Sequence, residues 1–238
     1  MQAVMKRHRQ PELMDDPAID DATHRSALRR LDRINRVSLA DRPIVEAILR
    51  CCPTPRPLRL LDVATGSGRV AISVTRRLAE AGHTVHLDLC DVSSTALAVA
   101  GEHARNAGLE ATRIEADVTS GLPIPDQGVD VVMCSLFLHH LDEAEVVAAL
   151  REFARVASTL VVVSDLRRCL PGYVAAWTAG VCSGSRIVRV DAPRSVEGAW
   201  TRSEFRSLCE AAGLAGVDVQ RIVPYRVLVT WRREGNDL

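Results

Sequence analysis

A glycine-rich turn between an apolar run and a helical pattern constrains the fold of this chain more than any other feature. The stretch reads Leu60-Leu-Asp-Val-Ala-Thr-Gly-Ser-Gly-Arg-Val-Ala71. The apolar residues around Asp62 predict a short buried strand, and the apolar spacing after Gly68 predicts a helix. Gly66 and Gly68 carry no side chain, so the backbone can turn sharply and approach a ligand closely. The free N–H groups at the start of the helix suit a nucleotide-like cofactor on this turn.

Strand and helix patterns alternate along the rest of the chain. Strands are predicted at 58–63, 84–90, 111–115, 129–134 and 160–163, and helices at 67–81, 94–107 and 142–156. This alternation requires a parallel sheet with right-handed crossovers. Two further strands, 217–223 and 225–231, follow a helix at 201–212 and are joined by only a turn, so they must form an antiparallel hairpin. The sequence therefore predicts an α/β fold with a doubly wound, seven-stranded, mostly parallel sheet and an antiparallel C-terminal hairpin.

The chain is predicted to divide into three parts, residues 1–16, 17–56 and 57–238. The first part is polar and is predicted to be a flexible tail. The second carries helical patterns at 22–39 and after Asp41, which is predicted to cap its helix, and these helices are expected to cap the domain. The third part is the sheet domain. Residues 166–200 interrupt the alternation of strand and helix patterns and are predicted to form an inserted lid.

Charge and composition argue against several partners. The 30 basic and 30 acidic residues balance, and only three Trp, three Phe and two Tyr are present, so no surface for stacking bases or binding phosphates is expected. No apolar run approaches the roughly 18 residues of a membrane span, and no signal-peptide core is seen. Seven cysteines without a C-x-x-C pair argue against a disulfide framework or a zinc site. We therefore expect a cytoplasmic protein, monomeric or homodimeric, with no membrane span and no nucleic-acid partner.

Two classes of cofactor fit the glycine turn when it is taken alone. Residues 66–71 satisfy the dinucleotide pattern G-x-G-x-x-G/A, and Asp91 follows near the distance expected of a ribose-binding acid. A carboxylate at Asp62 would repel a pyrophosphate on the same helix N-terminus, but it suits a ligand with a positive amine. Asp117, after the third strand, is placed to bind an adenine amino group. Together with the terminal hairpin, these acids favour a cofactor other than NAD.

Four sequence motifs resemble those of the class I S-adenosylmethionine-dependent methyltransferases. The glycine motif of that family, D/E-x-G-x-G-x-G, stands here as Asp62-Val-Ala-Thr-Gly-Ser-Gly68, with Ala64 in place of the first glycine. The other three motifs are Asp91-Val-Ser93 at the end of strand two, Asp117-Val118 after strand three, and strand four running into Ser135-Leu-Phe-Leu-His-His-Leu141. The resemblance covers residues 40–165 by motif and extends to 231 by architecture.

The resemblance implies S-adenosylmethionine as the cofactor and S-adenosylhomocysteine as its product. Asp62 would hold the methionine part with the two glycines, Asp91 the ribose hydroxyls, and Asp117 the adenine amino group. The cofactor-binding residues that it implies are Asp62, Ala64, Thr65, Gly66, Gly68, Asp91, Val92, Asp117, Val118, Ser135 and Leu136.

His139 and His140 are the titratable pair best placed for catalysis. They follow strand four, and open α/β sheets bind ligands beyond the carboxyl ends of their strands. An imidazole there can deprotonate a phenol or enol near neutral pH, although the pair can equally pack or cap the next helix. No other metal ligand accompanies them, so no metal site is predicted. Asp165, after strand five, is either a substrate contact or a cap. Tyr173 and Trp177, four residues apart on a predicted helix, are either acceptor contacts or core residues.

The predicted function is methyl transfer from S-adenosylmethionine to a small-molecule acceptor. Strand four is not followed by the Asn/Asp-Pro-Pro-Tyr/Phe sequence of nucleic-acid and protein amine methylases. The similarity to methylases of quinone, phenolic and polyketide pathways favours O-methylation of a phenol or enol of a secondary metabolite or quinone precursor. Three alternatives remain: C-methylation of a similar acceptor, an NAD-binding oxidoreductase, and a cofactor-binding protein without transferase activity.

Overall fold

A seven-stranded sheet flanked by helices forms the body of the protein. The structure is a computed structural model that describes residues 5–13, Thr23, Ser26 and 40–233. The strands in this part of the chain are β1 (Pro57–Val63), β2 (Thr84–Asp91), β3 (Ala111–Glu115), β4 (Val129–Ser135), β5 (Ala157–Leu166), β6 (Asp218–Ile222) and β7 (Arg226–Arg232). The α-helices there are α1 (Asp41–Cys51), α2 (Arg69–Glu80), α3 (Ser94–Asn106), α4 (Glu143–Val156), α5 (Leu170–Cys182), α6 (Arg186–Gly198) and α7 (Arg202–Ala211). A short 3-10 helix spans Leu138–His140.

The strand order across the sheet is β3-β2-β1-β4-β5-β7-β6. Strands β1 to β5 run parallel, β7 is antiparallel to β5, and β6 is antiparallel to β7. The predicted α/β fold, with its seven strands and terminal hairpin, is confirmed. The order reverses between β1 and β4, and such a switch point leaves a crevice at the carboxyl ends of the strands where ligands bind.

Two apolar layers cover the sheet. Residues such as Leu60 and Met133 pack with α1, α2 and α3 on one face, and Leu61 packs with α4 and α7 on the other. Asp41 does not cap α1 as predicted, because Ala40 occupies the N-cap position. The Asp41 carboxylate instead accepts a bond from the Arg77 Nε over 2.6 Å, which ties α1 to α2.

The predicted lid, residues 166–200, holds two helices that pack against each other. Of these, α6 also contacts the 3-10 helix that follows β4. Among the α-helices that the structure describes, α5 is the most apolar. Even so, no helix among the described residues is long and apolar enough to cross a membrane.

Residues 5–13 lie along α6 and are not a loose tail. The His8 N–H donates to the Glu197 carbonyl over 3.0 Å, and the Leu13 N–H donates to the Asp191 carboxylate over 2.9 Å. The prediction of a flexible tail is therefore wrong for this segment, because its backbone and side chains find partners far along the chain. The predicted helix at 22–39 lies outside the described residues except for Thr23 and Ser26.

All seven cysteines are unbonded thiols, and four of them are buried. Burial raises the pKa of Cys90 and of Cys209 to about 12. These two thiols therefore stay protonated at neutral pH and serve as small apolar groups of the core.

Candidate active site

The glycine turn joins β1 to α2 through left-handed backbone. The φ angles are +56° at Ala64, +53° at Gly66 and +73° at Gly68. A Cβ atom added to Gly68 would lie 2.9 Å from the Cβ of Ala100 on α3, so only glycine fits there. A left-handed conformation costs a residue with a side chain about 1 kcal/mol. This cost explains why the family motif has glycine where this chain has Ala64.

Asp62 lies buried at the end of β1, with only 3% of its surface exposed. Burial and the nearby negative charge of Asp91 raise the pKa of Asp62 to about 7, although the hydrogen bond from Thr65 opposes them. That bond joins the Thr65 Oγ1 to the Asp62 Oδ2 over 2.6 Å. A cation bound beside Asp62 would favour its charged form. The setting therefore suits a positively charged ligand.

Asp91 ends β2 and holds the glycine turn with its two oxygens. Its Oδ2 accepts a bond from the Gly66 N–H over 2.8 Å, and its Oδ1 accepts one from the Ser93 N–H over 2.9 Å. Asp62 and Asp91 each stand two residues after a leucine that faces the α1–α3 layer, so their side chains emerge on the same face of the sheet. The two carboxylates thus flank the turn from adjacent strands.

The three residues predicted to meet the adenine differ in their surroundings. Val92 is 70% exposed and Val118 is buried. The Asp117 Oδ1 accepts bonds from the Thr119 N–H over 2.8 Å and from the Thr119 Oγ1 over 2.7 Å. The other carboxylate oxygen of Asp117 forms neither of these bonds.

Two hydroxyls at the ends of β4 and β5 are buried without a hydrogen-bond partner among the described residues. They belong to Ser135 and Ser164, which pair across the two strands. Like the side chain of Asp62, both hydroxyls lie on the face of the sheet that is covered by α1, α2 and α3. Leu136 comes next, with a φ of +58°, and its N–H donates to the Ser164 carbonyl over 2.9 Å. A buried unpaired hydroxyl costs about 1–3 kcal/mol, a cost that a bound ligand can remove.

Ser164 was not singled out from the sequence as a site residue. The available signal was a polar residue closing an apolar strand, the same signal that identified Asp62 and Asp91.

His139 is held by Asp165 in a buried pair. Its Nδ1 lies 2.6 Å from the Asp165 Oδ1, and its backbone N–H donates to the Oδ2 over 3.1 Å. Burial alone would raise the pKa of Asp165, but the attraction of His139 and its hydrogen bonds lower the pKa below its usual value. The carboxylate is therefore charged, so the His139 Nδ1 carries the proton and the Nε2 points away from Asp165. The pair therefore joins the segment after β4 to β5 and also orients the His139 imidazole.

Glu12 reaches the two histidines from the N-terminal segment. Its Oε1 lies 3.9 Å from the His139 Nε2 and 3.9 Å from the His140 Nδ1. The two imidazole rings are 4.2 Å apart, and the Ser195 hydroxyl on α6 also donates to Glu12. The expectation that no other metal ligand accompanies the histidines is therefore wrong. No local pattern around Glu12 signals this, because the contact depends on the fold of residues 5–13.

Tyr173 and Trp177 lie on α5, within the predicted lid. Tyr173 is half-buried on α5, whereas Trp177 is 53% exposed together with Leu170, Val174 and Val181. Neither aromatic side chain forms a hydrogen bond or ring contact with the site residues described above. Their role as acceptor contacts stays a prediction.

A separate groove of about 670 Å³ lies between α1, α2 and α3. Its basic lining comes from Arg69, Arg76, Arg77 and His103. None of the predicted site residues lines it, so the strand ends remain the candidate active site.

Comparisons with known proteins find similarity to methyltransferases. Residues 60–159 match the family model described as a methyltransferase domain. The uncharacterized methyltransferase YcgJ of Bacillus subtilis (strain 168) is 30% identical over 98 residues, which cover 41% of this chain and 36% of YcgJ. The ubiquinone/menaquinone biosynthesis C-methyltransferase UbiE of Rhizobium meliloti (strain 1021) is 30% identical over 146 residues, which cover 59% of this chain and 54% of UbiE. The matched regions thus span only about a third to a half of these curated relatives.

Solved structures give the same architecture over most of the chain. The plantazolicin methyltransferase BpumL in complex with SAH superposes with a TM-score of 0.67 at 15% identity, covering 92% of this chain and 90% of that one. At this identity the likeness establishes the fold. The sheet order, the glycine turn and the match of residues 60–159 to a methyltransferase domain support a class I S-adenosylmethionine-dependent methyltransferase.

Proposed function

We propose that this protein methylates an oxygen atom of a small phenol or enol with S-adenosylmethionine as the methyl donor. The observation that carries this proposal is the pair of carboxylates, Asp62 and Asp91, beside the glycine turn. A turn flanked by two carboxyl groups suits a cofactor with a sulfonium and an amine, and disfavours a pyrophosphate. BpumL, which shares the fold, was solved with SAH bound.

The residues around the turn fit this cofactor. The raised pKa of Asp62 marks a carboxylate that is short of positive partners. Asp91 accepts one backbone N–H on each oxygen, and a carboxylate at this position is the kind of acceptor that ribose hydroxyls bind. The Ser135 and Ser164 hydroxyls add unpartnered polar atoms on the same face. When bound, the cofactor supplies a methyl group on a sulfonium that leaves as a neutral thioether.

His139 and His140 are proposed to act on the acceptor. They stand directly after β4, at the carboxyl end of the sheet. Asp165 orients His139, and the side chain of His140 is the more exposed of the two at 22%. In this proposal the acceptor hydroxyl gives its proton to the histidine pair, and the oxygen keeps the electron pair with which it attacks the methyl carbon. Helix α6 and residues 5–13 pack beside the pair and exclude water from it.

A carbon acceptor is the second candidate. UbiE, which is 30% identical to this chain over 146 residues, is named as a C-methyltransferase. An enol or a phenol can react at carbon as well as at oxygen, so the same site geometry is compatible with both outcomes.

Calorimetric titration tests the cofactor, and product analysis tests the reaction. We expect one binding site for S-adenosylhomocysteine and a raised unfolding temperature in its presence. Stabilisation by NADH alone would overturn the proposal in favour of an oxidoreductase. With methyl-labelled S-adenosylmethionine and a panel of phenols, enols and quinols, the carbon NMR shift of the new methyl group distinguishes O-methyl from C-methyl products. Cofactor binding without turnover on the whole panel would support a non-catalytic binding protein.

A further inference from the structure

We propose that Glu12, His139 and His140 form a binding site for one divalent transition-metal cation. Each side chain offers one ligand atom, and these atoms all lie within 4.8 Å of one another. The cluster combines two imidazoles with one carboxylate. Cations of the first transition series prefer this set of ligands in proteins.

The distances leave room for a cation after a small movement. Ligand atoms about 2.1 Å from a metal in tetrahedral or octahedral geometry are roughly 3.0–3.4 Å apart. The Glu12 Oε1 is 3.9 Å from each histidine nitrogen, so each ligand needs to shift by only a fraction of an ångström. Glu12 belongs to a segment outside the sheet, and its side chain can make this shift without disturbing a strand.

The surroundings of the cluster are those of a supported metal site. A histidine that binds a metal usually donates its other ring N–H to a carboxylate, which fixes the ring and leaves the second nitrogen for the metal. His139 has this arrangement, because its Nδ1 faces Asp165 and its Nε2 faces Glu12. The Ser195 hydroxyl donates to the same Glu12 oxygen, Oε1, that faces the two histidines, and so fixes the position of this carboxylate.

Burial favours a retained cation with an open position. The side chains of Glu12 and His139 are 6% and 4% exposed, whereas that of His140 is 22% exposed. Three protein ligands leave at least one coordination position for an outside oxygen. If the proposed methyl transfer is correct, an acceptor hydroxyl in that position would ionise more readily beside the cation and release its proton to water, because histidine nitrogens that bind the cation could not accept it. Binding of the cation itself does not depend on that function.

Titration with Co²⁺ tests the site without cofactor or acceptor. The full chain is stripped with EDTA, dialysed, and titrated while visible absorption and heat are recorded. We expect one Co²⁺ per chain, with absorption bands of nitrogen and oxygen ligands, displacement by Zn²⁺ and a raised unfolding temperature. A near-ultraviolet thiolate-to-cobalt band would place the ion at cysteines and overturn the proposal, as would an absence of saturable binding. Since neither cofactor nor acceptor is present, these results are independent of whether methyl transfer occurs.

Matched variants locate the ion. Glu12→Gln and His140→Gln, which lie on separate segments, are each expected to weaken Co²⁺ binding at least tenfold. His86→Gln, at an exposed position on β2, is expected to leave binding unchanged. Thermal unfolding shows whether each variant is folded. If His140→Gln does not fold, Glu12→Gln alone tests the assignment. Equal affinity in Glu12→Gln and the parent protein would overturn the assignment.

Discussion

The Nδ1 of His139 and the Oδ1 of Asp165 are joined by a hydrogen bond of 2.6 Å between two almost fully buried side chains. This bond connects the segment after β4 to the end of β5. It also directs the remaining ring nitrogen of His139 towards Glu12. The same contact therefore supports the fold at the edge of the site and sets the chemistry that His139 can offer.

Asp165→Asn is expected to lower the free energy of unfolding by about 3 kcal/mol, because it removes the charge from a buried pair. The pKa of Asp165 is lowered in the folded state. Its stabilisation is thus fully present above the unfolded pKa, near 3.8, and is lost only as the pH falls through the folded value. Denaturant unfolding at pH 7 measures this deficit. Asp126→Asn, at an exposed ion pair with Arg155, should cost under about 1 kcal/mol. A similar loss in both variants would contradict the role assigned to Asp165.

Asp62→Asn is expected to stabilise the protein at high pH while weakening cofactor binding. The pKa of Asp62 rises from 3.8 to about 7 on folding, so the folded state holds an extra proton between these values and stability falls as the pH rises towards 7. Asparagine does not ionise. Its stability advantage over the parent should therefore grow by about 3 kcal/mol between pH 5 and pH 8. Denaturant unfolding measures this gap, and a gap that does not change with pH would refute the raised pKa.

Asp91→Ala is expected to weaken S-adenosylhomocysteine binding at least tenfold. The substitution removes the acceptor for the Gly66 and Ser93 N–H groups as well as the proposed ribose contact. Isothermal titration calorimetry measures the change. Glu102→Ala, an exposed acid on α3, is the control and should bind as the parent does. Unchanged affinity in Asp91→Ala would remove β2 from the proposed cofactor site.

Ala64→Gly is expected to raise the free energy of unfolding by a few tenths of a kcal/mol to about 1 kcal/mol. Glycine relieves the left-handed strain at φ +56°, and this gain exceeds the added entropy of the unfolded chain. The control is Ala144→Gly, an exposed position in α4, which should lose about 1 kcal/mol. Affinity for S-adenosylhomocysteine should not fall in Ala64→Gly. A loss of stability there would show that the turn is not strained at this position.

Arg7→Ala is expected to expose residues 5–13 to protease. The Arg7 Cζ lies 3.5 Å from the centre of the Trp200 ring, and its guanidinium donates to the Gly198 and Leu141 carbonyls over 2.7 Å each. Loss of about 1.4 kcal/mol of this docking would raise the rate of tryptic cleavage at Arg9 about tenfold. Arg42→Ala, an exposed change on α1, should not alter cleavage at Arg9. Equal rates in both variants would mean that Arg7 does not hold the segment.

The sheet could be predicted where its signals are local. The apolar runs near Asp62 and Asp91 predict β1 and β2 within one residue of their observed bounds. Both strands are marked by apolar residues and turn residues that are neighbours in the sequence. Strand β5 is longer than its predicted 160–163, because β4 and β7 supply hydrogen bonds to both of its edges. Helix α6 could not be predicted, since it contains Pro193 and is held by tertiary contacts with α5 and residues 5–13.

The candidate site divides in the same way. The glycine motif, the strand-end acids and the histidine pair are short stretches of sequence, so each could be found from its neighbours. Glu12 could not be found in this way, because its contact with His139 depends on how residues 5–13 pack against residues far along the chain. The orientation of His139 by Asp165 lay between these cases: both residues were candidates, but their bond depends on how β4 and β5 pair.

The contact between Glu12 and Ser195 spans 183 residues of chain, and this separation has a consequence during protein synthesis. Glu12 leaves the ribosome long before its partner has been made. At about 5–20 residues per second, the delay is roughly ten to forty seconds. The first strands and helices can form during that interval, before the Ser195 hydroxyl is available to Glu12. The histidine cluster is therefore completed among the last steps of biosynthesis, after α6 has emerged and packed.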